Sequence, residues 1–419
     1  MEYCKKYLTS HMEALYTKRE KRSLLVNDSL QIREYHDVLI VPGKGIFDNN
    51  RKFIDGTDLH EFKLHQYSED YIPAVELDEA VFLGTFFYCW GHCLTDNIKR
   101  MWIFLSENYP RMSYLYNEWD DYKKPRSFES LLEYIVPTDI ELKLADKVVR
   151  VKRCLLPDTS LVRNKGGLYY TIAYEQIITR IRDCVVLQNT DLYRKMKSSG
   201  LIADRIYLSR SNANSRIEIG NQEFDDLFKK MNYSIVCPEQ ISFEEQVMIL
   251  MNCKKLIASE GSVSHNIVFC NPKAEITILK KAKYVNEYQL IIDSLLQKLP
   301  VYVDANLSLL TSPKEYYMGP FMLYKSRELC NWIEEIEGTG YSNYLRAPSL
   351  TRYLWRSAND SKKLYHYNEE YNDDLRAKYG IVSEMVKIYI RIIVGLAYFF
   401  RKTKDYILWH LKIKRKTNY

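Results

Sequence analysis

The chain has 419 residues, 46% hydrophobic and 27% charged, the balance of a soluble globular protein with room for two domains of about 150–200 residues. Of its 60 Lys and Arg and its 54 Asp and Glu, nine bases and one acid fall in 387–416, so that segment carries +8 and the remainder −2. A nearly neutral body gives no electrostatic support to nucleic-acid binding, and that class of function is set aside.

The opening "MEYCKKYLTSHMEALYTKREKRS" is charged throughout and lacks the apolar core of a secretory signal. The nine cysteines are scattered, with no CxxC pair, and read as reduced thiols of a cytoplasmic protein. Residues 37–48 and 79–90 are strand-rich, and a helix is expected from near Gly91 through "CLTDNIKRMWIFLSENY". "DKVVRVKRCLLP" is a further strand pattern and 172–198 is helical, which makes 1–200 an N-terminal α/β domain. On the helix from Gly91, His92 and Asp96 stand four apart and share a face. A carboxylate there is favoured by the helix dipole and kept ionised, and the imidazole can bond a substrate hydroxyl or the carboxylate itself. Three readings stand side by side: an ordinary capped helix with a solvent-facing histidine, an active-site pair, or a zinc set of Cys89, His92, Cys93 and Asp96. Against zinc stands the want of a second, separated ligand pair.

Between about 203 and 304 short apolar strands alternate with helices: "RIYLSR", then 221–231, "YSIVCP", 242–252, "KLIA", "VSHNIVFC", "EITIL", "VNEYQLIIDSLLQKL" and "VYVDA". Ser242 and Glu245 form a capping box at the start of one helix. This alternation predicts a parallel, doubly wound sheet over a second domain, 201–325, with ligands at the carboxyl ends of its strands. Arg210 ends a strand and Arg216 follows a polar loop. Two such guanidiniums suit a diphosphate, and equally fit solvated loop positions. Residues 259–264, "SEGSVS", exit another strand. Ser262 and Ser264 precede a helix whose free amides suit phosphate or a sugar diphosphate, or merely cap it. The stretch is neither a nucleophile elbow nor a Walker loop.

Taken in order, Ser209-Arg210, Arg216, Asn221-Gln222, Pro238-Glu239, Glu245-Gln246 and Glu260-Gly261 with Asn266, together with the upstream "WGHCLTD", resemble the pattern of glycosyltransferase family 61 over about residues 90–280. That family includes capsular-polysaccharide transferases. Two positions depart from it: Gln222 replaces the usual Glu, and Glu260 stands where many members have His. A carboxylate at 260 would accept hydrogen bonds from ribose or sugar hydroxyls, with His265 supplying the imidazole. The resemblance implies a GT-B architecture, two Rossmann-like domains facing a cleft. It also implies inverting transfer from a nucleotide-sugar donor, UDP-linked, to a glycan acceptor, including a lipid-linked one, in capsular or cell-surface polysaccharide synthesis. Asp96 or His92 would be the base. Arg210, Arg216, Glu260, Gly261, Ser262, Ser264, His265 and Asn266 would form the donor site. Adjacent Asp120-Asp121 and Asp373-Asp374 do not make a DxD metal motif, so no metal or further cofactor is expected. The alternative is a non-catalytic member that binds sugar nucleotide or polysaccharide in a membrane assembly.

Residues 326–419 form a helical C-terminal region. Its tail is apolar from Ile388 to Phe400, but Arg391 interrupts it, and the uncharged run 392–400 is far short of the roughly 20 residues that span a bilayer. With Trp409 and its cluster of bases, 384–419 reads as an amphipathic helix on an anionic membrane surface, placing the protein at the inner face of the plasma membrane; the alternative is a helix folded back on the first domain with its last ten residues disordered.

Overall fold

A computed structural model of the chain describes all residues except 1–3, 21–23, 28, 58–64, 120–122, 165–166, 213–217, 297–298, 312–318, 347, 359–365, 368–375, 377–379, 381–382 and 417–419. It is a mixed α/β structure with two main sheets. After helix α1 (Ser10–Glu20), six strands build the first: β1 (Ile32–Val41), β2 (Gly45–Phe47), β3 (Val75–Phe86), β4 (Ser113–Glu118), β5 (Leu142–Leu144) and β6 (Val149–Pro157), in the order β2-β1-β6-β3-β4-β5. β3 runs parallel to both its neighbours, and β1 is antiparallel to β2 and β6. The second half of β3, from Ala80 to Phe86, is buried without alternation, as a strand covered on both faces requires. Helix α2 (Trp90–Leu94) leaves its carboxyl end, and α3 (Arg126–Glu133) lies between β4 and β5.

A hairpin, β7 (Leu161–Asn164) and β8 (Gly167–Tyr170), and two helices, α4 (Ile172–Gln188) and α5 (Thr190–Ser198), lead to the second sheet. Its strands β9 (Arg205–Leu208), β11 (Ser234–Val236), β12 (Lys255–Ser259), β13 (Glu275–Lys280) and β14 (Val301–Asp304) are all parallel, in the order β11-β9-β12-β13-β14. The short β10 (Glu218–Ile219) stands apart and pairs with Phe321–Met322. Helices α6 (Asn221–Lys230), α7 (Phe243–Asn252) and α8 (Glu287–Ser294) link these strands. The capping box of α7 forms as expected: Ser242 Oγ accepts from the Glu245 amide at 3.1 Å and Glu245 Oε2 from the Ser242 amide at 2.8 Å. Strand order reverses between β9 and β12, the position at which doubly wound sheets receive ligands.

One apolar core runs through both sheets. Val81 and Phe86 of β3, Tyr174 and Ile181 of α4, Phe243 and Val247 of α7, and Ile206 and Ile278 of the second sheet belong to it. The first residues of the chain pack on the second sheet: Tyr7 joins Tyr207 and Phe228, and the Thr9 amide donates to Asp304 Oδ2 at 2.6 Å. All nine cysteines are free thiols. Beyond the sheets lie α9 (Arg327–Trp332), α10 (Leu350–Ala358) and the long α11 (Ser383–Lys416). Among the described residues no helix is long and apolar enough to cross a membrane.

Candidate active site

The expected long helix from Gly91 is replaced by the five residues of α2, a series of turns and a 3-10 helix over Met101–Leu105. Two side chains fold back at this point, Thr95 onto a carbonyl of the helix and Asn97 onto Phe87 ahead of it. Thr95 Oγ1 donates to the Gly91 carbonyl at 3.0 Å. Asn97 Nδ2 donates to the Phe87 carbonyl at 3.1 Å, while its Oδ1 accepts from the Phe87 amide at 2.9 Å. Asp96 therefore lies past the end of α2, and a helix dipole does not account for its charge. Burial works against ionisation, but the His92 ring beside it, then Lys99 and the Thr95 hydroxyl, outweigh burial and hold the carboxyl well below the usual range.

His92 and Asp96 do come together: Nδ1 lies 2.6 Å from Oδ2. Thr95 Oγ1, its one proton shared with the Gly91 carbonyl, lies 3.0 Å from Oδ2, and Oδ1 accepts from the Tyr288 hydroxyl at 3.0 Å, with Lys99 Nζ at 3.9 Å. The Asp96 side chain is 6% exposed and that of His92 31%. A carboxylate with both oxygens engaged inside the protein orients the ring, and a ring that donates through Nδ1 leaves Nε2 as an acceptor. Phe87 and Tyr288 pack edge-on against the imidazole, with ring centroids 4.9 and 5.6 Å away. Among the described residues no group of three His, Cys, Asp or Glu is placed to hold a metal.

The carboxyl ends of the second sheet supply cations. Arg210 follows β9, and Lys281 follows β13. Both turn to the buried carboxylate of Glu218, with Arg210 Nε 3.6 Å from Oε2 and Lys281 Nζ bonded to Oε1. Burial pushes the Glu218 pKa up, but Lys281 and Arg210 pull it below its ordinary value. Two cations thus share one anion. Gly261 sits beside them with φ +125°, and a Cβ there would come within 3.1 Å of Lys281 Nζ, so glycine meets both a conformational and a spatial demand.

The two groups adjoin. Trp90 Nε1 donates to Asn266 Oδ1 at 2.7 Å, and Cys89 Sγ is 3.6 Å from Ser262 Oγ. A Cβ on Gly91 would lie 3.0 Å from His265 Nδ1 and 3.1 Å from Ser262 Oγ, so this glycine permits the close approach. His265 is buried with neither ring nitrogen in a hydrogen bond of good geometry, and Asn266 Nδ2 is likewise unpaired. Burial first, then the nearby His92, bring His265 down to about 4, partly offset by the Gly91 backbone and Asp96. The ring is neutral near pH 7.

Other expected donor residues are placed differently. Glu260 is wholly buried and bonded to the equally buried Lys280, so it faces inward rather than toward a ribose or sugar hydroxyl. The predicted helix after Ser262 is a six-residue 3-10 turn, Ser264–Phe269, which lacks the aligned amides of a phosphate-binding helix start. Ser264 opens that turn and ties back to the residues before it, with Oγ 2.8 Å from the Gly261 carbonyl and 2.5 Å from Gln289 Oε1. Gln222 is exposed and donates to Asp226 Oδ1 at 3.2 Å on the same helix. Arg216 lies outside the described residues. Sequence reasoning missed Tyr288, Lys99, Glu218, Lys280 and Lys281. The pair Lys280-Lys281, two bases closing an apolar strand, was the one available signal, because strand exits of this sheet face ligands.

No curated protein matches the chain. Residues 90–277, which run from the start of α2 into β13 and contain His92, Asp96, Arg210 and Glu218, match the family model described as Glycosyltransferase 61. The likeness is to that family over these residues, less than half of the chain.

Proposed function

We propose that the protein is an inverting glycosyltransferase that moves a sugar from a UDP-linked donor to a hydroxyl of a glycan acceptor. The observation that carries this reading is the His92–Asp96 dyad, bonded at 2.6 Å, on a segment that meets the exit of β12, the strand between those that lead to Arg210 and Lys281. His92 Nε2 takes the acceptor proton as that oxygen forms its bond to the anomeric carbon. The bond from that carbon to the diphosphate breaks, and its electrons leave on the diphosphate. A single displacement of this kind inverts the anomeric centre. Asp96 keeps Nδ1 protonated and stabilises the imidazolium that forms, a division of labour in which the buried carboxylate is the positioning group and histidine the base.

Arg210 and Lys281 receive the charge that develops on the diphosphate, exchanging part of their bond to Glu218 for phosphate oxygens. Two fixed cations at the leaving group supply what a divalent metal supplies elsewhere, and this supports metal-independent transfer. His265 and Asn266, buried with unpaired polar atoms beside Gly91, offer a neutral donor and acceptor set for sugar hydroxyls. The body is read as a GT-B arrangement with the donor on the second sheet. A capsular or cell-surface glycan is the expected product.

A panel of nucleotide sugars tested by thermal shift identifies the donor, because a ligand at 100 times its Kd adds about 2.7 kcal/mol to stability. Transfer by the purified protein, followed by NMR of the product anomer, then tests the chemistry. Stabilisation by no UDP-sugar defeats the donor assignment, and a product that keeps the donor's anomeric configuration defeats the displacement.

A further inference from the structure

The long helix α11 carries two apolar faces, and only one is covered. Val386, Ile390 and Ile393 pack into a small core with Ile219, Met322, Tyr353 and Leu354. At about 100° per residue, Ile388, Tyr389, Ile392, Leu396, Phe399 and Phe400 fall in one arc roughly 120° wide, beside the face that enters that core. These side chains are exposed: Ile392 is 54% accessible, Phe399 64% and Phe400 66%, and Tyr406 continues the line at 63%. Large apolar groups repeated along one helix face at this exposure form a contiguous patch and mark an interaction surface.

We infer that this stripe of α11 lies in the interfacial layer of an anionic bilayer, helix axis parallel to the surface. The charges select this occupant. No acid occurs from Met385 to Lys404, Lys387, Arg391 and Lys402 lie along one side of the stripe, and residues 387–416 carry +8. An occupant must be apolar under the stripe and negative at its edges, which describes acyl chains below anionic headgroups. A second copy of the chain would bring the same +8 against itself. At 34 residues the helix is about 51 Å long, yet it is too charged to span a membrane.

The root of α11 packs on Ile219, next in sequence to Glu218, so a surface-bound helix holds the Arg210–Lys281 cluster close to the membrane.

Flotation of the full chain with phosphatidylcholine vesicles, with and without phosphatidylglycerol, tests this directly. The chain should float with the anionic vesicles at low salt and stay behind with neutral ones. Binding should weaken by more than about tenfold near 1 M salt, where the screening length is about 3 Å. The variant Leu396→Asp/Phe399→Asp changes only exposed positions, so it should lose the vesicles while keeping its circular dichroism and melting temperature. Failure of the wild type to float overturns the inference, as does a variant that floats equally well. So does a wild type that ignores vesicles and sediments as a dimer that the variant breaks, because the stripe would then join two copies.

Discussion

The hydroxyl of Tyr288, on α8 of the second sheet, donates to Oδ1 of Asp96, beyond α2 of the first, at 3.0 Å. With the His92 bond on Oδ2, this fixes the carboxylate from both sides, one oxygen to each half of the molecule. The orientation of the imidazole therefore depends on the second sheet as well as on its own loop.

Removal of the base should separate binding from chemistry. His92→Gln is expected to lower the transfer rate by about 10²–10⁴ with the donor Kd unchanged. Asp96→Asn should cost a similar factor for a different reason, since an amide that donates to Nδ1 selects the tautomer protonated at Nε2, which accepts no proton. Rates at saturating donor, with affinities from calorimetry, check both. Full activity in both variants would falsify the dyad.

For the diphosphate, Lys281→Met and Arg210→Ala should each weaken nucleotide binding about tenfold or more, since a hydrogen bond to a charged group contributes roughly 1.5–3 kcal/mol. Each variant leaves Glu218 with one of its two cations. Glu218→Gln tests the arrangement from the other side. It frees both cations for phosphate, and binding of UDP should be kept or tightened. A loss of binding in Glu218→Gln as large as that in Lys281→Met would show that the cluster only holds the fold.

The second sheet was legible because its cues are local and repeated: short apolar strands, capping groups and turns at regular spacing, each agreeing with the next. The dyad was found from its four-residue spacing on a helix that ends too soon, so the geometry holds although the helix argument behind it does not. The side-chain bonds of Thr95 to Gly91 and of Asn97 to Phe87 surround the end of α2, and periodicity does not record such bonds. Glu260 misled because a carboxylate beside a glycine at a strand end looks exposed, and its partner Lys280 is twenty residues away on the neighbouring strand. Tyr288 gave no signal at all, since its role depends on how the two sheets meet.

The Glu260–Lys280 pair carries its own expectation. Both side chains are 0% exposed, and the ammonium also donates to the Tyr284 carbonyl at 2.6 Å and lies 5.4–5.8 Å from the rings of Tyr16, Tyr284 and Tyr302. Removing one partner strands the other charge away from water. Glu260→Gln and Lys280→Met should each cost about 3–5 kcal/mol, and the double variant less than the sum. Chemical denaturation of the four proteins closes the cycle. Additive losses would mean that the two side chains do not act as a pair.

Beside that pair, Asp293 gives the stability a definite pH dependence. It accepts from Gln289 Nε2 at 3.0 Å and from the Tyr302 hydroxyl at 2.6 Å. Burial dominates, however, and with the neighbouring Glu260 it raises the carboxyl to about 7, despite these bonds and Lys280. An aspartate in the unfolded chain titrates near 3.9. Between about pH 4 and pH 7 the folded protein therefore holds a proton that the unfolded chain has released. Stability from this site is complete below pH 4 and is lost as pH rises through 7, at about 1.4 kcal/mol for each unit by which the titration is raised. His265, neutral in the fold above about 4, works in the opposite sense below pH 6.5, so the total curve alone is ambiguous. The difference between wild type and Asp293→Asn isolates the carboxyl, because His265 is common to both. Relative to the variant, the wild type should lose stability steadily from pH 4 to 7 and level off above. A difference that stays flat across that range would mean that Asp293 is ionised in the folded protein.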